Sequence, residues 1–186
     1  RRHVLSLLAA APFAPSLAGC APRDLPDPAA GWRDPGAGEN DPRRFALAHA
    51  ILAPNPHNTQ PWQVELIGDN EMALYCDLDR RLPFTDPLDR QITIGHGCFL
   101  ENFRLAAAEK SFYAELTPFP EGEPTPRLDA RPVAHVRLAP IDGGIGDPSF
   151  AQITARRTNR NVYDATRQPG AEDFDALDSV VTNTGE

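Results

Sequence analysis

Basic residues are scarce in this sequence: 18 Lys+Arg stand against 26 Asp+Glu over 186 residues, a net charge of −8. A duplex-binding module needs a basic face to displace counterions, so no nucleic-acid partner is expected. Cysteine is scarcer still. Cys20, Cys76 and Cys98 are too few and too scattered for a disulfide scaffold or a zinc site. His57, His96 and His135 lie far apart without ligand spacing, so no metal is expected. No nucleotide fingerprint is present, because Gly143-Gly144-Ile145-Gly146 does not sit between a strand and a helix in register. There is no initiator Met, and Gly185-Glu186 resembles no natural stop, so a fragment is expected. Proline, by contrast, is plentiful. Twenty prolines are about twice the usual share, which favours loops and extended segments over a plain helical bundle. The length suits one domain with a real core, or one domain and part of another.

The start of the chain reads as an address. Arg1-Arg2 is a twin-arginine opening, and the apolar run over residues 4–17 is broken by Pro12 and Pro15 and is too short to span a bilayer. Leu17-Ala18-Gly19-Cys20 has the order of a lipoprotein processing site, which would leave Cys20 lipidated as the only hold on the membrane. Residues 1–20 are therefore expected to direct export by the twin-arginine route to the periplasmic or cell-surface side. Such signals serve proteins exported folded, often with a cofactor inserted. Residues 21–41, rich in Pro, Gly and Asp, read as a flexible tether whose Trp32 packs back on the domain.

In the body, hydrophobic spacing changes period several times. Asp41-Pro42 caps a helix over 42–53 that stops at Pro54. Alternation over 62–66 and 72–78 around Gly68-Asp69-Asn70 predicts a β-hairpin. Helical spacing returns over 90–110, where Gly95 and Gly97 suggest close approach by another helix or a ligand. Strands follow near 112–116 and 134–138, then helices after Asp147-Pro148 and near 172–181. This is an α+β pattern. His49 is expected on the exposed side of its helix. Asp77, Asp79, Asp86 and Asp89 read as a solvated acidic loop, and Cys76 and Cys98 as packed thiols.

Two segments carry chemistry. Between Pro54 and Trp62 a proline-locked loop presents Asn55, His57, Asn58, Thr59 and Gln60, uncharged groups suited to the edge of a heteroaromatic ring. The alternative is a capping turn whose Asn and Thr satisfy their own backbone. Arg156, Thr158 and Arg160 alternate as a fork for a phosphate, or else form a solvated cationic helix end.

Taken together, these segments resemble the nitroreductase-like FMN family. Its loop reads roughly P-S-S-x-N-S-Q-P-W; Pro54, Asn58, Thr59, Gln60, Pro61 and Trp62 match, and Asn55 and Pro56 replace the two serines. Arg156, Thr158 and Arg160 match the family's R-x-S-x-(K/R) motif, which there opens the domain. The resemblance implies a mixed sheet flanked by helices and FMN held by Pro54, Asn55, Asn58, Gln60, Arg156, Thr158 and Arg160. No essential catalytic acid or base is implied. Family flavins lie between two subunits of a homodimer. The order of motifs here implies two fused repeats forming a pseudo-dimer, the first over 42–146 and the second beginning at 147 and truncated. The implied activity is hydride transfer from NAD(P)H or another donor to a nitroaromatic, a quinone or a similar small acceptor. The alternative is an exported protein that sequesters FMN with little turnover.

Overall fold

The computed structural model describes residues 27, 29–144 and 146–183. The expected signal over 1–20, its Cys20, and the start of the expected tether lie outside the described residues. The chain divides between Thr154 and Ala155 into two units.

In the first unit, a short helix α1 (Ala30–Arg33) leads into α2 (Pro42–Ala50). Trp32 packs on Leu52, Leu105 and Ile153, as its isolation among polar neighbours suggests. Asp41 starts α2 by accepting the Arg43 amide at 2.9 Å, with Pro42 in the first turn. The buried Arg43 guanidinium also binds Asp41 and donates to the Gly68 carbonyl at 2.7 Å. That arrangement holds the Asp41 carboxyl below its usual range and ties the helix start to the hairpin turn. The expected end at residue 53 is a tighter turn after Ala50, in which the Leu52 and Ala53 amides reach back three residues.

Strands β1 (Trp62–Ile67) and β2 (Glu71–Cys76) form the expected hairpin, with Trp62 opposite Cys76 and Leu66 opposite Met72. The long helix α3 (Arg90–Glu109) follows, then β3 (Phe112–Pro118) and β4 (Ala134–Pro140). Strand order is β1-β2-β4-β3, and every neighbouring pair is antiparallel. The α+β class is as expected, although the four described strands form an antiparallel sheet where a mixed one was expected. One sheet face is wet and carries Glu71 between His135 and Arg137.

The other face meets the helices. Phe99, Phe103 and Ala106 of α3 pack on Met72, Leu74, Ala114, Val136 and Leu138. Ala46 and Ala50 let α2 approach α3 closely. The two run antiparallel: Lys110 lies over the Phe45 ring at 4.3 Å, and the Asn102 amide donates to the His49 carbonyl. Among the described residues no helix is long and apolar enough to cross a membrane.

Two expectations are overturned here. His49 is buried, not exposed. Its Nδ1 bonds the Phe45 carbonyl at 2.9 Å, and its ring lies 4.9 Å from that of Phe150 on α4 (Phe150–Ala155). Phe150 also stacks near Phe45 of α2, with ring centroids 6.4 Å apart. The acidic loop is not wholly solvated either, since Asp86 and Asp89 are buried. Asp86 accepts the Ile92 amide at 3.0 Å and caps α3, while Asp89 takes two bonds from Arg127 at 3.0 and 3.2 Å. Charge burial is tolerated there because both carboxylates are paired or hydrogen-bonded.

The second unit contains α5 (Ala171–Asn183), near its expected place.

Candidate functional site

Two prolines and a helix end shape the loop over residues 54–61. After Ala53 closes the turn, Asn55 is extended (φ −149°), and a single 3-10 turn spans Pro56–Asn58. His57, Asn58 and Gln60 then adopt positive φ values of 51°, 54° and 48°. Asn and His enter that region at modest cost, but Gln does so rarely. A non-glycine residue held there costs on the order of 1–2 kcal/mol, so neighbours must impose it.

Asn55 does much of the imposing. Its Oδ1 accepts the Gln60 amide at 2.8 Å, and its Nδ2 donates to the Ala53 carbonyl at 3.2 Å. Thr59 binds the Pro56 carbonyl through both its amide and its hydroxyl, each at 3.1 Å. The Arg80 guanidinium donates to the Thr59 carbonyl at 3.0 Å, and the Asp77 amide to the Pro61 carbonyl at 2.8 Å. The capping turn is therefore real, and it uses Asn55 and Thr59. Pro54, His57, Asn58 and Gln60 are left exposed on the outer surface. The capping reading holds for Asn55 and Thr59.

Helix α3 supports the loop from beneath. A Cβ placed on Gly95 would sit 3.5 Å from Asn55 Cβ and 3.5 Å from Pro56 Cδ, which is ordinary contact. Gly95 marks a close approach, as its sequence position suggested. Gly97 does not, for nothing lies within 4 Å of its added Cβ. Beside Gly95, His96 is fully buried. Burial dominates its titration and pushes its pKa below the usual histidine value. Sequence reading weighed His96 only as a metal ligand and passed over Arg80. The signal for His96 was present, because it stands four residues after Ile92 and three before Phe99, on the buried stripe. Arg80 gave no signal, since its partner is a backbone carbonyl 21 residues away. Cys76 is a packed thiol whose pKa burial pushes up to about 11, which removes it as a nucleophile.

In the second unit, the Arg156 guanidinium donates to the Thr158 hydroxyl at 3.4 Å. Arg156 and Thr158 thus turn toward one another, and Arg160 is exposed two residues further on. The neighbouring Arg157 turns back to the Arg156 carbonyl at 2.7 Å. Among the described residues no group of three His, Cys, Asp or Glu side chains could hold a metal ion.

No family model matches the chain. A Mycobacterium tuberculosis protein named "Putative NAD(P)H nitroreductase" is 30% identical over 130 residues, which is 69% of this chain and 36% of that protein. Another of the same organism, "Putative NAD(P)H nitroreductase acg", is 33% identical over 99 residues, covering 53% of this chain and 28% of its own. The chain belongs to the nitroreductase-like family. It spans about a third of the length of these relatives. A crystal structure of a "Putative NADH Oxidase" from Clostridium acetobutylicum aligns at 15% identity with a TM-score of 0.46, covering 70% of this nitroreductase-like chain and 87% of the other.

Proposed function

We propose that this nitroreductase-like chain forms part of a flavin-dependent oxidoreductase, with FMN as its cofactor. One observation carries the reading. The loop spends Asn55 and Thr59 on its own backbone, and so presents the uncharged amides of Asn58 and Gln60 outward from a fixed frame. Neutral amides on a rigid support suit the polar edge of a flavin ring, which both accepts and donates hydrogen bonds. Pro54 sets the entry of the loop, and Asn55 acts by holding its shape. Arg156 and Arg160, with the Thr158 hydroxyl, suit a phosphate, for which guanidinium forks are the strong protein donors.

When bound, such a flavin supplies two-electron chemistry, taking hydride from a donor such as NAD(P)H and passing it to a nitroaromatic, a quinone or a similar acceptor. The chain's own part is to bind and orient. No side chain of the loop is needed as an acid or base. The repeat boundaries at 42–146 and 147 onward, with pairing of two repeats or two copies, complete the reading. The leader adds twin-arginine export and lipidation at Cys20.

Flavin titration tests the cofactor. The whole protein should purify yellow and release FMN on denaturation; a colourless protein that takes up no FMN in excess would refute the reading. Arg156→Ala with Arg160→Ala should weaken FMN far more than riboflavin, because a charged hydrogen bond is worth on the order of 1.5–3 kcal/mol. Turnover with NAD(P)H and a quinone then separates an oxidoreductase from a sequestering protein. Membrane fractionation of Cys20→Ala tests the anchor, since the variant should lose membrane association.

A further inference from the structure

The ring of His96 is fully enclosed where α3, β2 and the end of the 54–61 loop meet. Its Nδ1 lies 2.9 Å from the Ile92 carbonyl, one turn back on the same helix. A carbonyl oxygen can only accept, so Nδ1 carries the proton and the neutral ring leaves Nε2 as a bare lone pair. Nε2 has no hydrogen-bond partner among the described residues. The polar groups that act on the ring are all backbone: Ile92 on α3, Tyr75 on β2 and Pro61 at the end of the loop. No charged side chain of the described residues is among them.

Burial therefore favours the neutral ring more than the surrounding carbonyls favour the charged one. A proton on Nε2 would create a buried cation with no counter-charge, a costly state. The Tyr75 and Pro61 carbonyls beside the ring favour its charged form, but burial outweighs them, and the Pro61 carbonyl also takes the Asp77 amide at 2.8 Å. Immediately beside it on the helix, Gly95 faces Asn55 and Pro56, which a side-chain carbon there would meet at 3.5 Å. Any movement that lets water reach Nε2 between α3 and Pro61 must lift the loop's floor.

We propose that His96 is a positioning residue that seats the 54–61 loop while its ring is neutral and unseats it when Nε2 takes a proton. Acid would then scatter Asn58 and Gln60 without disturbing the helices. The consequence for flavin rests on the function proposed above; the seating of the loop does not.

Amide hydrogen exchange on the whole chain, without flavin, tests the device. Between about pH 7.5 and about pH 5, the range over which histidine changes charge, protection at the Gln60 and Asp77 amides should fall at least about tenfold more than at Phe103, after correction for intrinsic rates. His96→Gln removes the titrating group and keeps a polar side chain of similar reach, so the excess loss should vanish. An equal excess loss in His96→Gln would overturn the proposal. Should that variant fail to fold, nitrogen NMR of His96 in the parent decides: a neutral ring protonated at Nδ1, whose titration coincides with the loss at Gln60, upholds it. A ring protonated at Nε2 at neutral pH refutes it. Titration of FMN over the same range is read separately. Unseating without loss of FMN affinity would uphold the proposal and count against the flavin reading alone.

Discussion

The side-chain oxygen of Asn55 accepts the backbone N–H of Gln60 at 2.8 Å, across four intervening residues of which two have positive φ. That bond fixes where the outward amides point, so residue 55 serves the site without facing outward. Asn55→Ala should cost about 1 kcal/mol of stability, the usual net value of one such bond. Asn55→Asp keeps the acceptor and should restore protection at the Gln60 amide in hydrogen exchange. Equal protection in Asn55→Ala and the parent would show that the loop closes by other means.

Gln60 is held where glycine is more comfortable, with φ 48°. Gln60→Gly should therefore raise the urea midpoint, by up to about 1 kcal/mol in stability, since glycine enters that region freely. If Gln60 presents its amide to a flavin, the same variant should bind FMN more weakly. Stability and affinity would move in opposite directions, a pattern not expected of a residue that serves the fold alone.

Asp89 is fully buried between Arg127, at 3.0 Å, and Arg81, at 3.6 Å, with φ 56°. Asparagine tolerates that backbone, so Asp89→Asn isolates the charge. Breaking a buried pair from one side is costly, roughly 3–5 kcal/mol, and partial exposure of both arginines softens it toward the lower end. A urea midpoint within error of the parent would mean that the triad is already solvated.

His49 and His96 are both buried, and burial is the main cause that pushes each pKa below 6.5. The unfolded chain then binds protons that the folded chain refuses. Stability is full above 6.5 and declines as pH falls from there through the depressed folded values. Denaturation midpoints should therefore fall on acidification, and replacing both histidines with residues that do not titrate should flatten the slope in that window.

Gly97 has open space around its missing side chain, whereas Gly95 does not. Gly97→Ala should stabilise the chain by about 1 kcal/mol through helix propensity. Gly95→Ala should gain at least as much, because its methyl would meet Asn55 and Pro56 at 3.5 Å, an ordinary packing contact. If a second repeat or second copy covers α3, Gly97→Ala should also weaken that association, which sedimentation would register.

Local rules are enough for the elements themselves. Asp41-Pro42 starts a helix because a carboxylate and a fixed φ meet the needs of a first turn. The alternation over 62–66 and 72–78 makes a hairpin because one face is dry. The same rules did not serve for the glycines of α3: Gly97 has open space around it, and a methyl would fit at Gly95. Burial of short polar residues was not legible in this way. His49 and Asp89 look solvent-facing in sequence because what covers them comes from far along the chain, Phe150 for one and Arg127 for the other. The division of labour within the 54–61 loop was equally hidden. Sequence offers Asn55, Asn58, Thr59 and Gln60 as equivalent polar groups, and only the folded backbone, bent through three positive φ angles over α3, commits two of them inward and leaves two outward. Spacing fixes which residues share an element, but side-chain partners depend on which distant carbonyls and carboxylates the packed helices bring within hydrogen-bond reach.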